Sequence, residues 1–135
     1  MTDLDLVYAE VDVSELPLVS VLAVGPLTDG GFSDYLASLL AALQLRERVV
    51  IRLHGGSLGA FPPRYVRKSV QWMKLHEATL NRHVAAVSVV AESAAIRIAT
   101  HAMLWAARPP FPMVAKPSIE TADAWLLAQL EDDKG

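Results

Sequence analysis

Short apolar runs rich in β-branched residues alternate along this chain with longer segments in which apolar residues recur every three to four positions. The short runs are typical of strands that are buried on both faces, and the longer segments are typical of helices that cover a sheet with one apolar side. A strand, a helix and a second strand in succession form a parallel crossover unit. The alternation therefore predicts an α/β sandwich with a largely parallel sheet.

The first strand differs from the others because it alternates between apolar and polar residues, which indicates one face in contact with solvent. Ser14-Glu15-Leu16-Pro17 follows as a turn, so the first two strands should form an antiparallel hairpin. The predicted order of elements is ββαβαβαβα. The strands are expected at 6–13, 18–25, 49–53, 84–91 and 112–115. The helices are expected to open at Asp29-Gly30-Gly31, with Asp29 or Ser33 as the N-cap, to cover 62–81 and 93–107, and to open again at Ser118.

Length and composition indicate one domain. The 135 residues, 53% of them apolar, suffice for a single packed core, so we assign 1–135 to one domain. Cysteine is absent, which excludes disulfides and thiolate metal sites and is consistent with a reducing cytoplasm. The apolar runs, such as 84–91, are far shorter than the ~20 residues that span a bilayer, and the acidic start lacks the basic region of a secretion signal. We therefore expect a cytoplasmic protein without stable membrane insertion.

Helical spacing also predicts which side chains form the core. The helix residues expected to be buried against Val21, Val50, Val87 and Val89 of the sheet are Leu36, Leu39, Leu40, Val70, Met73, Ile96, Met103 and Trp125. The three tryptophans, Trp72, Trp105 and Trp125, each fall in a predicted helix. Core packing is the simpler interpretation of these rings.

Charge is distributed unevenly along the chain. The segment 46–82 holds eight Lys and Arg against two Glu, whereas the part before it holds seven acidic side chains and no basic one. The net charge of −3 disfavours nucleic-acid binding. Arg64, Arg67 and Lys68 lie on one broad face of the predicted second helix, where they would attract an acidic protein partner. A solvated helix face without a partner is the alternative.

A glycine-rich loop, 54–61, follows the central strand. Gly55-Gly56-Ser57-Leu58-Gly59 matches the Gly-x-Ser-x-Gly pattern of hydrolases, in which the serine stands directly at a helix start. Here four residues intervene before the helix, and Asp123 follows every histidine, although the hydrolase order places the acid before the histidine. The Gly-Lys-Ser/Thr of a P-loop is also absent. We therefore predict no enzyme, and we interpret the loop as a recognition segment at the carboxyl end of a strand.

The sequence contains four histidines, His54, His76, His83 and His101. His76 and His83 are seven residues apart and would share one side of a helix, but two histidines alone are a weak indication of a metal site. Structural roles at the surface or in half-buried positions are expected for all four. We predict no metal and no cofactor.

Several local strings resemble STAS-like domains of the SpoIIAA-like type, a group related in fold to the Sec14/CRAL-TRIO lipid-binding lobe. The strings are Phe32-Ser33-Asp34-Tyr35-Leu36 at the start of the first helix, Pro62-Pro63-Arg64-Tyr65 at the start of the second, Trp72-Met73 within it, and Ala122-Asp123-Ala124-Trp125-Leu126 in the last. With the order of elements, the resemblance covers nearly the whole chain. It implies a STAS-like fold and a regulatory or scaffolding domain without catalytic residues.

The resemblance also implies a candidate modification site. In the anti-sigma factor antagonists of this fold, a partner kinase phosphorylates a Ser or Thr in the loop after the central strand. Ser57 is the serine of this sequence in that loop. His54-Gly55-Gly56-Ser57 stands where those proteins carry an Asp and paired serines.

These observations predict a single STAS-like domain that acts as a non-catalytic module. Its partner would be a protein with an acidic surface, bound through the glycine-rich loop and the basic second helix. The residues expected in this interface are Ser57, Phe61, Arg64, Arg67 and Lys68, with Ser57 as the candidate phosphorylation site. The alternative function is binding of a lipid or another apolar small molecule in a pocket between helices and sheet. The sequence leaves the oligomeric state open, a homo-oligomer included.

Overall fold

The computed structural model of the protein describes residues 7–45, 47–55 and 62–134. The strands along these residues are β1 (Ala9–Glu15), β2 (Leu18–Ala23), β3 (Val49–His54), β4 (Val84–Val90) and β5 (Met113–Lys116). The helices are α1 (Asp29–Leu43), α2 (Pro63–Leu75), α3 (Glu77–His83), α4 (Ala94–Ala107) and α5 (Ile119–Lys134). The fold is of the α/β class, and the predicted alternation of strands and helices is confirmed.

The strands form one sheet in the order β1-β2-β3-β4-β5. β1 pairs antiparallel with β2, and the other pairings are parallel, which confirms the predicted hairpin and the mostly parallel sheet. β1 extends to Glu15, two residues beyond the prediction, because Glu15 still pairs with Leu18. The parallel strands end together along one side of the sheet. This side, called the carboxyl border, is marked by the last residues of β2, β3, β4 and β5, which are Ala23, His54, Val90 and Lys116.

Helices cover the two faces of the sheet differently. On one face lies α5, whose Leu126 and Leu130 pack with Val50 of β3. On the opposite face, α1 and α3 bury leucines such as Leu39 and Leu80 against the sheet. α2 and α4 also lie over this second face. The two faces are distinct because successive side chains of a strand point to opposite sides.

Side-chain caps fix where the helices begin. Thr28 caps α1, since its Oγ1 accepts a hydrogen bond from Gly31 N at 3.1 Å. The prediction of Asp29 or Ser33 as the N-cap was therefore wrong, and Asp29 instead occupies the first turn, where the helix dipole favours an acidic group. Ser93 caps α4 and Ser118 caps α5, as predicted.

The predicted second helix, 62–81, is two helices with a break at His76. The break leaves Leu75 78% exposed at the end of α2. It allows α3 to place Leu80 in the core beside Val84. Burial of this leucine is a tertiary effect, and it overrides the continuous helical pattern of the sequence.

Two ion pairs hold α5 in place. Arg52 of β3 donates from Nη1 to both carboxylate oxygens of Asp123 at 2.7 Å, and from Nη2 to Ser20 Oγ at 3.1 Å. Arg48 donates to the carboxylate of Asp133 at 2.6 and 2.8 Å and also to two carbonyl oxygens at the end of α3. Hydrogen bonds from Arg48 hold the pKa of Asp133 below its usual range, because they stabilise the carboxylate form.

The core on the α1 face is smaller than predicted. Leu39 is buried there as expected, together with Val21 and Val87. Val89 of β4 stays partly exposed on this face, as do six helix residues predicted to be in the core: Leu36, Leu40, Val70, Met73, Ile96 and Met103. Trp125 of α5, on the other face, is partly exposed as well. α2 contributes a single fully buried residue, Tyr65, and α4 contributes none within the described chain. These two helices therefore stand off from the sheet.

Candidate functional site

A cavity of about 640 Å³ lies between the sheet and the helices α1, α2 and α4. Val21, Ile51, Val89 and Met113 of the strands form its floor. Small-molecule sites in proteins have volumes of roughly 300–1,000 Å³. The cavity is also about twenty times larger than the ~30 Å³ that one water molecule occupies in the liquid. It is therefore large enough for an organic ligand.

An aromatic cluster forms one end of the cavity, beside the carboxyl border. It consists of Tyr8, Phe32, Tyr35 and Tyr65, whose ring centroids lie 5.0–5.9 Å apart. The cluster packs on the small side chains of β1 and β2, including Ala23.

α4 closes the cavity with one side and exposes the other. Met103 lines the cavity, whereas Ile98 and Trp105 are 71% and 79% exposed to solvent. The backbone N–H of Ala115 in β5 donates to His101 Nε2 at 2.9 Å, which connects α4 to the edge of the sheet. α4 buries no described residue completely, so its contribution to the packed core is small.

The cavity is apolar apart from a few groups. None of the described residues that line it is Asp or Glu, and Arg67 is the formally charged side chain among them. The hydroxyl groups of Ser69 and Thr100 donate to carbonyl oxygens of their own helices at 2.9 and 2.8 Å. Within the described part of the lining, the polar side chains left for a ligand include Arg67, the indole N–H of Trp72, and the two tyrosines Tyr8 and Tyr35.

Burial raises the pKa of Tyr8, and burial together with the neighbouring Tyr8 raises the pKa of Tyr35. Both phenols are therefore protonated at neutral pH. Neither hydroxyl has a hydrogen-bond partner among the residues that the structure describes. The two side chains thus offer neutral hydrogen-bond donors to the cavity.

A polar network joins the N-terminal ends of α1 and α2. The Tyr65 hydroxyl donates to Asp29 Oδ1 at 2.9 Å and accepts from Arg64 Nη2 at 2.9 Å. Lys68 Nζ lies 3.2 Å from the same Asp29 oxygen, and the Arg64 guanidinium lies 3.7 Å from it. The hydrogen bonds from Tyr65 and then Lys68 lower the pKa of Asp29. Both cations are thus directed to a carboxylate of their own chain.

The structure separates the predicted interface residues from one another. Ser57 and Phe61 lie outside the described residues. Arg64 and Lys68 pair with Asp29, whereas Arg67 lines the cavity and makes no hydrogen bond or ion pair with any described residue. The acidic protein partner and the phosphorylation site stay predictions.

The histidines occupy unrelated positions. His54 ends β3 and lines the cavity, and His76 lies at the break after α2, where its ring packs 5.5 Å from Trp72. The described residues contain no group of three side chains that could hold a metal ion. None of the described helices combines the length and the apolar character needed to cross a bilayer.

Sequence reasoning missed that the cavity replaces part of the predicted core. A signal was present in α4, whose polar residues Arg97, Thr100 and His101 share one side while the rest of the helix is apolar. A helix with so wide an apolar surface is expected to be largely buried. Here part of that surface faces the cavity, and Ile98 and Trp105 face solvent.

No protein-family model matches this chain, and the comparisons with curated proteins and with solved structures return no significant similarity. The resemblance to STAS-like domains therefore remains a prediction from the sequence.

Proposed function

We propose that this protein binds an apolar small molecule in the cavity between the sheet and α1, α2 and α4. The observation that carries the proposal is the size of the cavity, about 640 Å³ in a chain of 135 residues, together with its apolar lining. Apolar pockets of this size with a few convergent polar groups are typical of ligand sites. This function was the alternative among the predictions from sequence.

Chain length of the ligand should control the affinity. Burial of one CH₂ group contributes about 0.8 kcal/mol, which corresponds to roughly a fourfold gain in affinity. A tail of ten such groups would therefore contribute on the order of 8 kcal/mol before the cost of ordering the ligand is subtracted. The gain should stop when the tail fills the cavity.

The proposal is for binding without a chemical step. Ser69 and Thr100 use their hydroxyl groups within their own helices, so neither is held by a base as a nucleophile. The described lining also contains no carboxylate that could orient His54 as a general base. The groups in the cavity are suited to hold a molecule by apolar contact and hydrogen bonds.

A fluorescence titration with N-phenyl-1-naphthylamine, a neutral apolar probe, tests the proposal. We expect saturable binding of one probe per chain and its displacement by n-alkan-1-ols, with affinity rising from octanol to dodecanol. A probe that fails to saturate, or displacement that is independent of chain length, would contradict the proposal.

A cavity-filling variant locates the probe. Val70 of α2 lines the cavity, and Val70→Trp would occupy part of its volume. We expect this variant to lose at least tenfold in probe affinity. Leu127→Trp, at an exposed position of α5 on the opposite face, is the matched control and should bind the probe normally. Equal affinities of the two variants would place the probe elsewhere.

A further inference from the structure

The charged side chain of the described cavity lining, Arg67, and two neutral donors, Tyr8 and Tyr35, lie at one end of the cavity, beside the carboxyl border. Arg67 lies in the first half of α2, the helix that starts after β3. Tyr35 follows Phe32 by one turn, in the aromatic cluster at the same end.

The other end of the cavity is lined mainly by apolar side chains and, among the described residues, by no charged one. Leu43 ends α1, Leu80 lies in α3 just before β4, and Phe111 just precedes β5. These residues stand where the chain enters the strands, at the border of the sheet opposite to the carboxyl border. The cavity is thus amphipathic along its length, and a ligand that matches it has one polar end and one apolar end.

Arg67 supplies a positive charge at the polar end, and no described carboxylate pairs with it. Arg64 and Lys68 on the same helix, in contrast, both approach Asp29. No Asp or Glu lines the described cavity. An arginine at the mouth of an apolar cavity favours an anion there, and its planar guanidinium fits a carboxylate with two parallel hydrogen bonds.

We infer that the ligand is a long-chain carboxylic acid whose carboxylate is bound by Arg67 and whose tail extends toward Leu43, Leu80 and Phe111. The inference rests on the proposed function and specifies its ligand class. The unpartnered hydroxyl groups of Tyr8 and Tyr35 lie at the same end of the cavity and supply further neutral donors to the head group.

The test compares two probes that differ only in the head group. 11-(Dansylamino)undecanoic acid carries a carboxylate, and its methyl ester has the same tail without the charge. We expect the acid to bind at least tenfold more tightly than the ester, which corresponds to about 1.4 kcal/mol. Arg67→Gln should remove this difference by weakening the acid alone.

Arg64→Gln is the matched control. It removes the same charge from the same helix, but from a side chain that faces Asp29. Both variants alter exposed side chains, so the fold is retained. We expect Arg64→Gln to preserve the preference for the acid. An equal loss in both variants would mean that general electrostatic attraction causes the preference, and it would overturn the inference.

The outcomes separate the inference from the proposed function. If the ester binds as tightly as the acid, and N-phenyl-1-naphthylamine also binds, the cavity is a ligand site without a carboxylate subsite and the inference is wrong. If none of the three probes saturates, the proposed function is wrong as well.

Discussion

Two leucines on opposite faces of the sheet should differ sharply in their contribution to stability. Leu126 of α5 is 0% exposed and packs with Val50 and Ala86, so Leu126→Ala removes contacts and leaves a new void. A change of this kind costs about 3–5 kcal/mol. Leu36 of α1 is only half buried and lines the cavity. Leu36→Ala therefore loses only part of the free energy gained by burying a leucine side chain, and it creates no new void. The expected cost is about 1 kcal/mol.

Thermal unfolding followed by circular dichroism measures both costs. At about 2.1 cal/mol/K per residue, the entropy of unfolding of 135 residues is about 0.28 kcal/mol/K. Leu126→Ala should then lower Tm by roughly 10–18 °C, and Leu36→Ala by roughly 4 °C. Leu127→Ala, which removes a mostly exposed side chain of α5, is the control and should shift Tm by no more than about 2 °C.

Equal destabilisation by Leu36→Ala and Leu126→Ala would refute the reasoning. That result would mean that the space beside Leu36 is packed in solution, and both the cavity and the proposals built on it would fall. A second readout is the affinity for the neutral probe, which only Leu36→Ala should change.

Asp123→Ala should lower the free energy of unfolding, measured in urea, by about 1–3 kcal/mol, because it leaves the largely buried Arg52 without its carboxylate. The double variant with Arg52→Met should recover most of this loss, and no recovery would contradict a coupled pair. The free energy of unfolding should fall as the pH drops below about 4, because the pKa of Asp133 is lower in the folded protein than in the unfolded chain. The stabilisation from this carboxylate is complete above its unfolded pKa of about 3.9 and is lost as the pH falls through its folded pKa. Asp133→Asn should flatten this dependence, and an unchanged acid profile would exclude the pair as its cause. Amide hydrogens of α4 should exchange faster than those of α5, and their exchange should slow when the neutral probe saturates the protein. Exchange rates in α4 that the probe leaves unchanged would mean that α4 is not part of the binding site.

The sequence pattern sufficed for the order of elements because each strand and helix is specified locally. β-branched runs, a turn containing Pro17, and serine caps at Ser93 and Ser118 act within a few residues, and the structure contains these elements. The break at His76 was not predictable in the same way. It depends on the burial of Leu80 against strands that are distant from it in the sequence, and no local signal specifies such a contact.

From the sequence, a pocket was the alternative to a filled core, and the two could not be distinguished because apolar side chains that line a pocket have the same spacing as those that fill a core. Val70, Met73 and Met103 were assigned to the core by helical periodicity, and the periodicity is correct, since all three face the sheet side of their helices. What the sequence does not specify is the distance between helix and sheet. That distance depends on tertiary packing, in which α4 buries no described residue completely and α2 buries Tyr65 alone among its described residues.

The same limit explains why three basic residues of α2 were treated as one surface. Arg64, Arg67 and Lys68 are close in sequence and carry the same charge, so their pattern alone gives them equal roles. The fold distinguishes them through one residue of α1, because Asp29 approaches Arg64 and Lys68 within 4 Å but forms no ion pair with Arg67. Among the described residues Arg67 has no ion-pair partner, and it stands beside an apolar cavity whose described lining contains no carboxylate. The proposed site assigns Arg67 to the acidic end of a small amphipathic ligand, whereas the sequence assigns it to a protein partner.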